Sequence, residues 1–126
     1  MTKELEKPMN ANEEALKRAS DDYLRFAERL GSQIASTGPS AAAFQAGYFA
    51  LLSALGDAER RALQDHPNSA AARLAAHRLA LGAADQQLAE LGARVYYRQD
   101  LAESASLADW LAWAARVRMA AGFVRS

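Results

Sequence analysis

The 126-residue chain contains no cysteine. Disulfide bonds, zinc–thiolate centres and thiol nucleophiles are therefore excluded. Lysine plus arginine and aspartate plus glutamate both number 15, so no net charge draws the chain to nucleic acid or to an anionic membrane. No run of about 20 apolar residues exists for a membrane span, and the polar start MTKELEKPMN lacks the apolar stretch of a signal peptide. We expect a cytoplasmic protein that makes no contact with a membrane.

Few residues interrupt the helical periodicity that covers most of the chain. Breaks are predicted at Gly31–Pro39, near His66–Pro67 and across Glu103–Ser106. Between these breaks the apolar residues recur at three-, four- and seven-residue steps, and nothing alternates with the period of two that a strand requires. The sequence predicts helices near 12–36, 40–65, 69–99 and 106–123.

The predicted fold class is all-α, with a single antiparallel four-helix bundle of up-and-down topology. Residues 1–11 are expected to form a flexible N-terminal tail, and residues 12–126 the bundle. Short predicted loops favour antiparallel neighbours, and the abundant alanine permits close approach of the helices.

Local signals refine the predicted helices. Gly56-Asp57 favours a kink in the second helix, whereas Gly82 is expected to be tolerated inside the third. Asn68 or Ser69 is predicted to cap the third helix and Ser106 the fourth. Substantial burial is predicted for seven large side chains: Phe26, Leu30, Tyr48, Leu51, Leu81, Leu88 and Trp110.

Histidine is the side chain whose unperturbed pKa lies near neutrality, so His66 is a candidate for acid–base chemistry. It follows Arg61 with four residues between them. An imidazole base beside a guanidinium is the pairing that metal-independent RNA cleavage requires, so Arg61 and His66 are the candidate catalytic residues. The alternative is that His66, directly before Pro67, is an exposed turn residue.

The second histidine, His77, lies one helical turn after Arg73, so the two side chains share a face. His77 also falls within the apolar stripe of Leu74 and Leu81, which favours a core or half-buried histidine with a hydrogen-bond partner. Neither histidine belongs to a Glu-x-x-His motif of the kind that di-iron bundles use. No metal and no cofactor are expected.

The segment RVYYRQD, residues 94–100, is the clearest basic and aromatic cluster of the chain. Arg94 and Arg98 lie one turn apart, and Tyr97 beside them can stack on a base. Arg94, Tyr97 and Arg98 are therefore the candidate nucleotide- or RNA-binding residues. The alternative is a helix end, where arginine suits the negative pole of the helix and a tyrosine packs on the first helix.

Four stretches of the sequence occur in a characteristic order. ALKRASDDYLRFAERL is followed by the tyrosine-containing FQAGYFALLSAL, by His66 at the next break, and by LAELGARVYYRQD with ESASLADWLAWAARV. Together they cover about residues 13–124. Their order and spacing resemble the small bacterial HEPN family, four-helix bundles found in toxin–antitoxin and other defence systems.

The resemblance implies a dimeric bundle linked to RNA or nucleotides, with a nucleotidyltransferase-type antitoxin as partner. Active members of the family are metal-independent ribonucleases that use an arginine followed, after four to six residues, by a histidine late in the chain. Here no histidine follows Arg94 or Arg98, and the pair Arg61 and His66 fits the spacing but lies earlier. The resemblance thus implies binding more readily than cleavage.

A second class of function fits the same sequence. The zero net charge and the alanine-rich second and fourth helices, each anchored by aromatic residues, are typical of a non-enzymatic all-α adaptor or chaperone-like module that binds a partner helix. These two helices hold more apolar surface than one small bundle needs, and such surface usually marks an interface. A homodimer is the simplest closed arrangement.

Overall fold

The computed structural model describes residues 11–31, 37–62, 67–96 and 104–124, and all regular structure in these ranges is helical. The predicted all-α class is confirmed, while the antiparallel up-and-down bundle stays a prediction. The described residues form six helices: α1 Ala11–Gly31, α2 Thr37–Leu52, α3 Asp57–Ala62, α4 Ser69–Arg78, α5 Ala83–Val95 and α6 Leu107–Ala120. None of these helices is both long and apolar enough to cross a membrane.

Two of the four predicted helices are interrupted. The second stops at Leu52 and resumes at Asp57, close to the favoured kink at Gly56-Asp57. The third was predicted to continue through Gly82, and that prediction is wrong, because α4 ends at Arg78 and Gly82 is the N-cap of α5. The predicted tail, residues 1–11, lies outside the described residues except for Ala11, the first residue of α1.

The break after α4 is built from backbone hydrogen bonds. Ala80 has a left-handed conformation, with φ of 59°. This conformation allows the amide of Leu81 to donate to the carbonyl of Ala76 at 3.1 Å and the amide of Ala80 to donate to that of His77 at 2.9 Å. Such bonds satisfy the last carbonyls of a helix and end it. Glycine usually occupies the left-handed position, so alanine gave no signal for the break.

Side-chain caps fix the starts of α4 and α6 as predicted. Asn68 Oδ1 accepts a hydrogen bond from the amide of Ala71 at 3.0 Å. Ser106 Oγ accepts one from the amide of Asp109, also at 3.0 Å. Each bond satisfies one of the amides that a helix start leaves without a backbone partner.

The core lies around α2, which packs against both α1 and α6. Phe44 stacks on Trp113, with ring centroids 5.4 Å apart, and meets Trp110 edge to face at 5.7 Å. These three rings are fully buried. A Cβ atom on Gly92 would lie 2.3 Å from the Phe44 ring, and one on Gly47 would lie 2.3 Å from the Trp113 ring. The two glycines therefore make room for the aromatic cluster.

Burial of the seven large side chains follows the prediction in part. Tyr48, Leu51 and Trp110 are buried, and Leu81 and Leu88 are half-buried. The side chain of Leu30 lies outside the described residues.

Phe26 was predicted to be buried, and that prediction is wrong, because 49% of the residue is exposed. The inward face of α1 instead carries the small residues Ser20 and Ala27, which let α2 approach closely.

A buried polar cluster joins α1 to α6. Arg118 donates to Ser20 Oγ at 2.5 Å and to Asp21 Oδ1 at 2.6 Å. Ser20 in turn donates to the carbonyl of Ala46 at 2.6 Å, and Lys17 donates to the other oxygen of Asp21 at 3.2 Å. Asp21 on α1 is thus joined to Arg118 on α6, although the two residues are 97 positions apart in the sequence.

Candidate functional site

Arg94, the first predicted binding residue, lies in the last turn of α5. Its guanidinium donates to Glu90 Oε1 at 2.8 Å, one turn earlier on the same helix. Tyr97 and Arg98 lie outside the described residues, so their geometry relative to Arg94 stays a prediction. The structure therefore places one member of the basic and aromatic cluster and pairs it with a carboxylate.

Arg61, the predicted catalytic arginine, is exposed on α3. It helps to line a cleft of about 380 Å³ between α3 and the start of α1, where Leu16 and Asp57 also contribute. His66 lies outside the described residues, so the Arg61–His66 pair stays a prediction. The neighbouring Arg60 has a structural role, since it donates to the carbonyl oxygens of Leu52, the last residue of α2, and of Leu55 in the connection to α3.

A larger cleft, of about 480 Å³, lies between α4 and α5. Arg73 and His77 are part of its lining and share one face of α4, as their spacing predicts. Gln86 and Glu90 contribute from α5. The lining residues are Ser69, Ala70, Arg73, Leu74, His77, Gln86 and Glu90.

His77 was expected in the core or half-buried, and the structure corrects this expectation because His77 is exposed. The expectation rested on a stripe formed by Leu74, His77 and Leu81. Leu74 is itself 41% exposed, and Leu81 lies beyond the end of α4, so the stripe does not exist on one continuous helix. The imidazole is therefore accessible from the cleft.

Glu90 is the central charge of the cleft. Its Oε1 accepts from Arg94 and its Oε2 lies 3.5 Å from an Nη of Arg73. Two guanidinium groups thus share one carboxylate, which leaves one positive charge in excess. Both arginine side chains are more than half exposed, so each ion pair contributes at most about 1 kcal/mol of stability.

The two walls of the cleft are held by contacts on their outer sides. On α4, Arg78 donates to both carboxylate oxygens of Glu59, at 2.7 and 3.1 Å, and to the carbonyl of Ala54. On α5, Asp85 accepts three hydrogen bonds from Arg116 at 2.8 to 3.0 Å, and its carbonyl accepts one from Trp113. The cleft is therefore framed by helices that are anchored to α3 and α6.

Sequence reasoning missed Gln86 and Glu90 as parts of a site. The spacing of Glu90 and Arg94 signals a pair on one helix face, and that signal is readable in the sequence. The contact with Arg73 is not readable, because it requires α4 and α5 to pack together after the break at residues 79–82. Among the described residues, no group of three histidine, aspartate or glutamate side chains is arranged to hold a metal ion.

Chemically, the cleft combines guanidinium donors, an accessible imidazole and the apolar side chain of Leu74. Guanidinium groups bind carboxylates and phosphates in paired geometry, and an apolar wall favours a flat ring. Comparison of the chain with protein-family models, with curated proteins and with solved structures gives no match.

Proposed function

We propose that the chain is a HEPN-like protein of a bacterial toxin–antitoxin or defence system that binds RNA or a nucleotide without cleaving RNA. The observation that carries this proposal is the α4–α5 cleft, where Arg73, His77 and Glu90 meet. The proposed architecture is the antiparallel four-helix bundle that the sequence predicts, with α2 and α3 as one interrupted member and α4 and α5 as another.

The charge of the cleft supports binding of an anionic ligand. Arg73 in the cleft and Arg94 beside it both approach Glu90, so this group of three side chains carries one positive charge in excess although the chain as a whole is neutral. The exposed guanidinium groups can exchange a carboxylate partner for a phosphate at little cost. Leu74 and His77 then lie beside the bound anion, where a base or a ribose can be accommodated.

Binding without cleavage is supported by the positions of the arginines and histidines. The family motif needs four to six residues between its arginine and a histidine late in the chain, and no histidine follows Arg94 or Arg98. Arg73 and His77 are separated by only three residues, which is fewer than the motif requires.

Binding of a labelled RNA oligonucleotide at low salt tests this proposal, because electrostatic contacts are strongest there. Replacing Arg73, Arg94 and Arg98 with glutamine is expected to weaken binding by about tenfold or more. Arg25→Gln is the matched control, since Arg25 is equally exposed and pairs with Asp22 within α1. Equal binding by the triple variant and the control would contradict the proposal.

Incubation of RNA with the protein in EDTA separates binding from cleavage. We expect the RNA to stay intact. If it is cut, and if Arg61→Gln or His66→Gln abolishes the cutting, the protein is a metal-independent ribonuclease and the predicted catalytic pair is correct.

A second candidate function is a non-enzymatic adaptor or chaperone-like module that assembles through α1, as a homodimer or with a partner helix. The observation that favours it is the exposure of Phe26 beside Tyr23, which stacks on Phe49 with ring centroids 5.5 Å apart. The sequence predicts an interface on the second and fourth helices, but the large aromatic residues of α2 and α6 are mostly buried. The proposed contact surface is therefore on α1.

Light scattering at micromolar concentration tests this second candidate. The wild type is expected to be a dimer, and Phe26→Ser to shift it towards the monomer because the variant removes exposed aromatic surface. Met119→Ser, which changes a residue of similar exposure on α6, is the control. A monomeric wild type would remove the homodimer from the proposal.

A further inference from the structure

Glu90 lines the α4–α5 cleft together with Arg73, and Arg94, which is not part of the lining, approaches Glu90 from the next turn of α5. Its two carboxylate oxygens are divided between two helices, with Oε2 3.5 Å from Arg73 on α4 and Oε1 2.8 Å from Arg94 on α5. The carboxylate is itself partly exposed. Arg73 and Arg94, from different helices, thus surround the partly exposed carboxylate of Glu90. Another anion can reach the two guanidinium groups from solvent.

The energies favour exchange of Glu90 for a stronger anion. Exposed ion pairs of this kind add little to stability, so breaking both costs little. A terminal phosphate carries about −1.5 to −2 charges at neutral pH and three acceptor oxygens, whereas a carboxylate carries a single charge and two oxygens. A phosphodiester inside an RNA strand carries only one charge and therefore has less advantage over Glu90.

The rest of the cleft fits a nucleoside. Its volume of about 480 Å³ is that of a small-molecule site. The amide nitrogen of Gln86 donates to the carbonyl of Leu81 at 2.9 Å, which leaves the amide oxygen to accept from an amino or hydroxyl group. Leu74 offers an apolar surface to a base, and His77 lies on the same wall.

We infer that this cleft binds a nucleoside monophosphate, whose phosphate displaces the Glu90 carboxylate from Arg73 and Arg94 while Gln86 and Leu74 contact the nucleoside. Glu90 thus competes with the ligand for the two guanidinium groups, and anions that bind arginine more weakly than a phosphate monoester do not displace it. This inference rests on the proposed nucleotide-binding function and narrows its ligand to a terminal phosphate monoester.

Calorimetric titration of the full chain tests the inference with four probes: 5′-AMP, adenosine, inorganic phosphate and an RNA hexamer with hydroxyl groups at both ends. We expect 5′-AMP to bind at least about tenfold more tightly than each of the other three. Adenosine lacks the phosphate, inorganic phosphate lacks the nucleoside, and each phosphodiester of the hexamer lacks the second negative charge. Inorganic phosphate binding as tightly as 5′-AMP would overturn the assignment of a nucleoside.

The Glu90→Gln variant gives the decisive result. It is expected to bind 5′-AMP about three- to tenfold more tightly than the wild type, since the competing carboxylate is gone. Arg73→Gln is expected to weaken binding about tenfold or more in either background. Asp22→Asn is the matched control, because Asp22 pairs with Arg25 within α1, away from the cleft, and is not expected to change the affinity.

The outcomes separate the inference from the proposed function. Weaker binding of 5′-AMP by Glu90→Gln would overturn the inference, because Glu90 would then position the arginines and not compete with the ligand. Hexamer binding that depends on Arg73, without binding of 5′-AMP, would also overturn it while the proposed function stands. If neither the hexamer nor 5′-AMP binds, both fail.

Discussion

The guanidinium of Arg118 donates a 2.5 Å hydrogen bond to the hydroxyl of Ser20, and only 6% of Arg118 is exposed. A buried cation is costly unless its donors are satisfied and its charge is balanced. Asp21 balances the charge at 2.6 Å and Lys17 bonds to the second oxygen of that carboxylate. The cluster therefore fixes the position of α6 against α1.

Arg118→Met is expected to lower the free energy of unfolding by about 2 to 3 kcal/mol. Breaking a fully buried ion pair costs roughly 3–5 kcal/mol, and the cost is smaller here because Asp21 stays partly hydrated and keeps Lys17. Urea denaturation followed by tryptophan fluorescence measures the change. Arg25→Met, at an exposed pair with Asp22, is the control and should change stability by less than about 1 kcal/mol. Equal effects would contradict the role of the buried cluster.

Stability is expected to fall in acid in a way that depends on Arg118. Partial burial raises the pKa of Asp21, but the hydrogen bonds from Arg118 and Lys17 outweigh it, so the pKa lies below its ordinary value of 3.8. The unfolded chain therefore takes up the proton first as the pH falls. The contribution of Asp21 is present above its unfolded pKa and is lost as the pH falls through the folded one.

Measurement of unfolding free energies at pH 7, 5 and 3 checks this prediction. The difference between the wild type and Arg118→Met should narrow at pH 3, which lies below the ordinary pKa of 3.8, because the unfolded chain then binds a proton at Asp21 that the folded wild type takes up only at lower pH. The pKa of Glu59 is also lowered, first by Arg78, but that contribution is common to both proteins and cancels. A difference that is the same at pH 7 and pH 3 would argue against Asp21.

Gly92→Ala is expected to destabilise the protein by about 1 to 3 kcal/mol, because the added methyl group overlaps the Phe44 ring. The direction is informative, since alanine in place of glycine inside a helix otherwise stabilises by about 1 kcal/mol. Gly82→Ala, at the N-cap of α5, brings the new Cβ within 4 Å of no atom beyond the neighbouring residues and should cost less than about 1 kcal/mol. Adding Phe44→Leu to Gly92→Ala should reduce the steric part of the loss, and strictly additive effects would refute the overlap.

Ala80→Gly is expected to raise the free energy of unfolding by roughly 1 kcal/mol. Ala80 has a φ of 59°, a conformation that costs a residue with a Cβ about 1–2 kcal/mol and costs glycine almost nothing. Part of the gain is offset by the greater freedom of glycine in the unfolded chain. Thermal unfolding monitored by circular dichroism gives the measurement, and a lower midpoint for the variant would contradict the prediction.

The features that the sequence predicts correctly depend on neighbours in the chain. Asn68 and Ser106 cap their helices because the bonded amide is three residues away, so residue type and spacing are sufficient. The break after α4 was missed because it depends on a strained alanine. The prediction for Phe26 was wrong because it assumed that the large apolar residues of α1 face the core. In the structure the small residues Ser20 and Ala27 face the core, where they allow close packing.

For the candidate site, too, the sequence predicts only the features that depend on neighbours in the chain. The shared face of Arg73 and His77 follows from helical spacing alone. Gln86 and Glu90 join them only through the packing of α4 on α5, which no local pattern in the sequence encodes.

The link between Ser20 and Arg118 also bears on the order in which the chain folds. The two residues are 98 positions apart in the sequence. Phe44 and Trp113, which stack in the core, are also far apart in the sequence. A contact of this kind must close a large loop before it adds any stabilisation, which slows its formation. The α4–α5 pair, joined by residues 79–82, closes almost no loop. We therefore expect that pair to form early, and the docking of α6 onto α1 and α2 to set the folding rate.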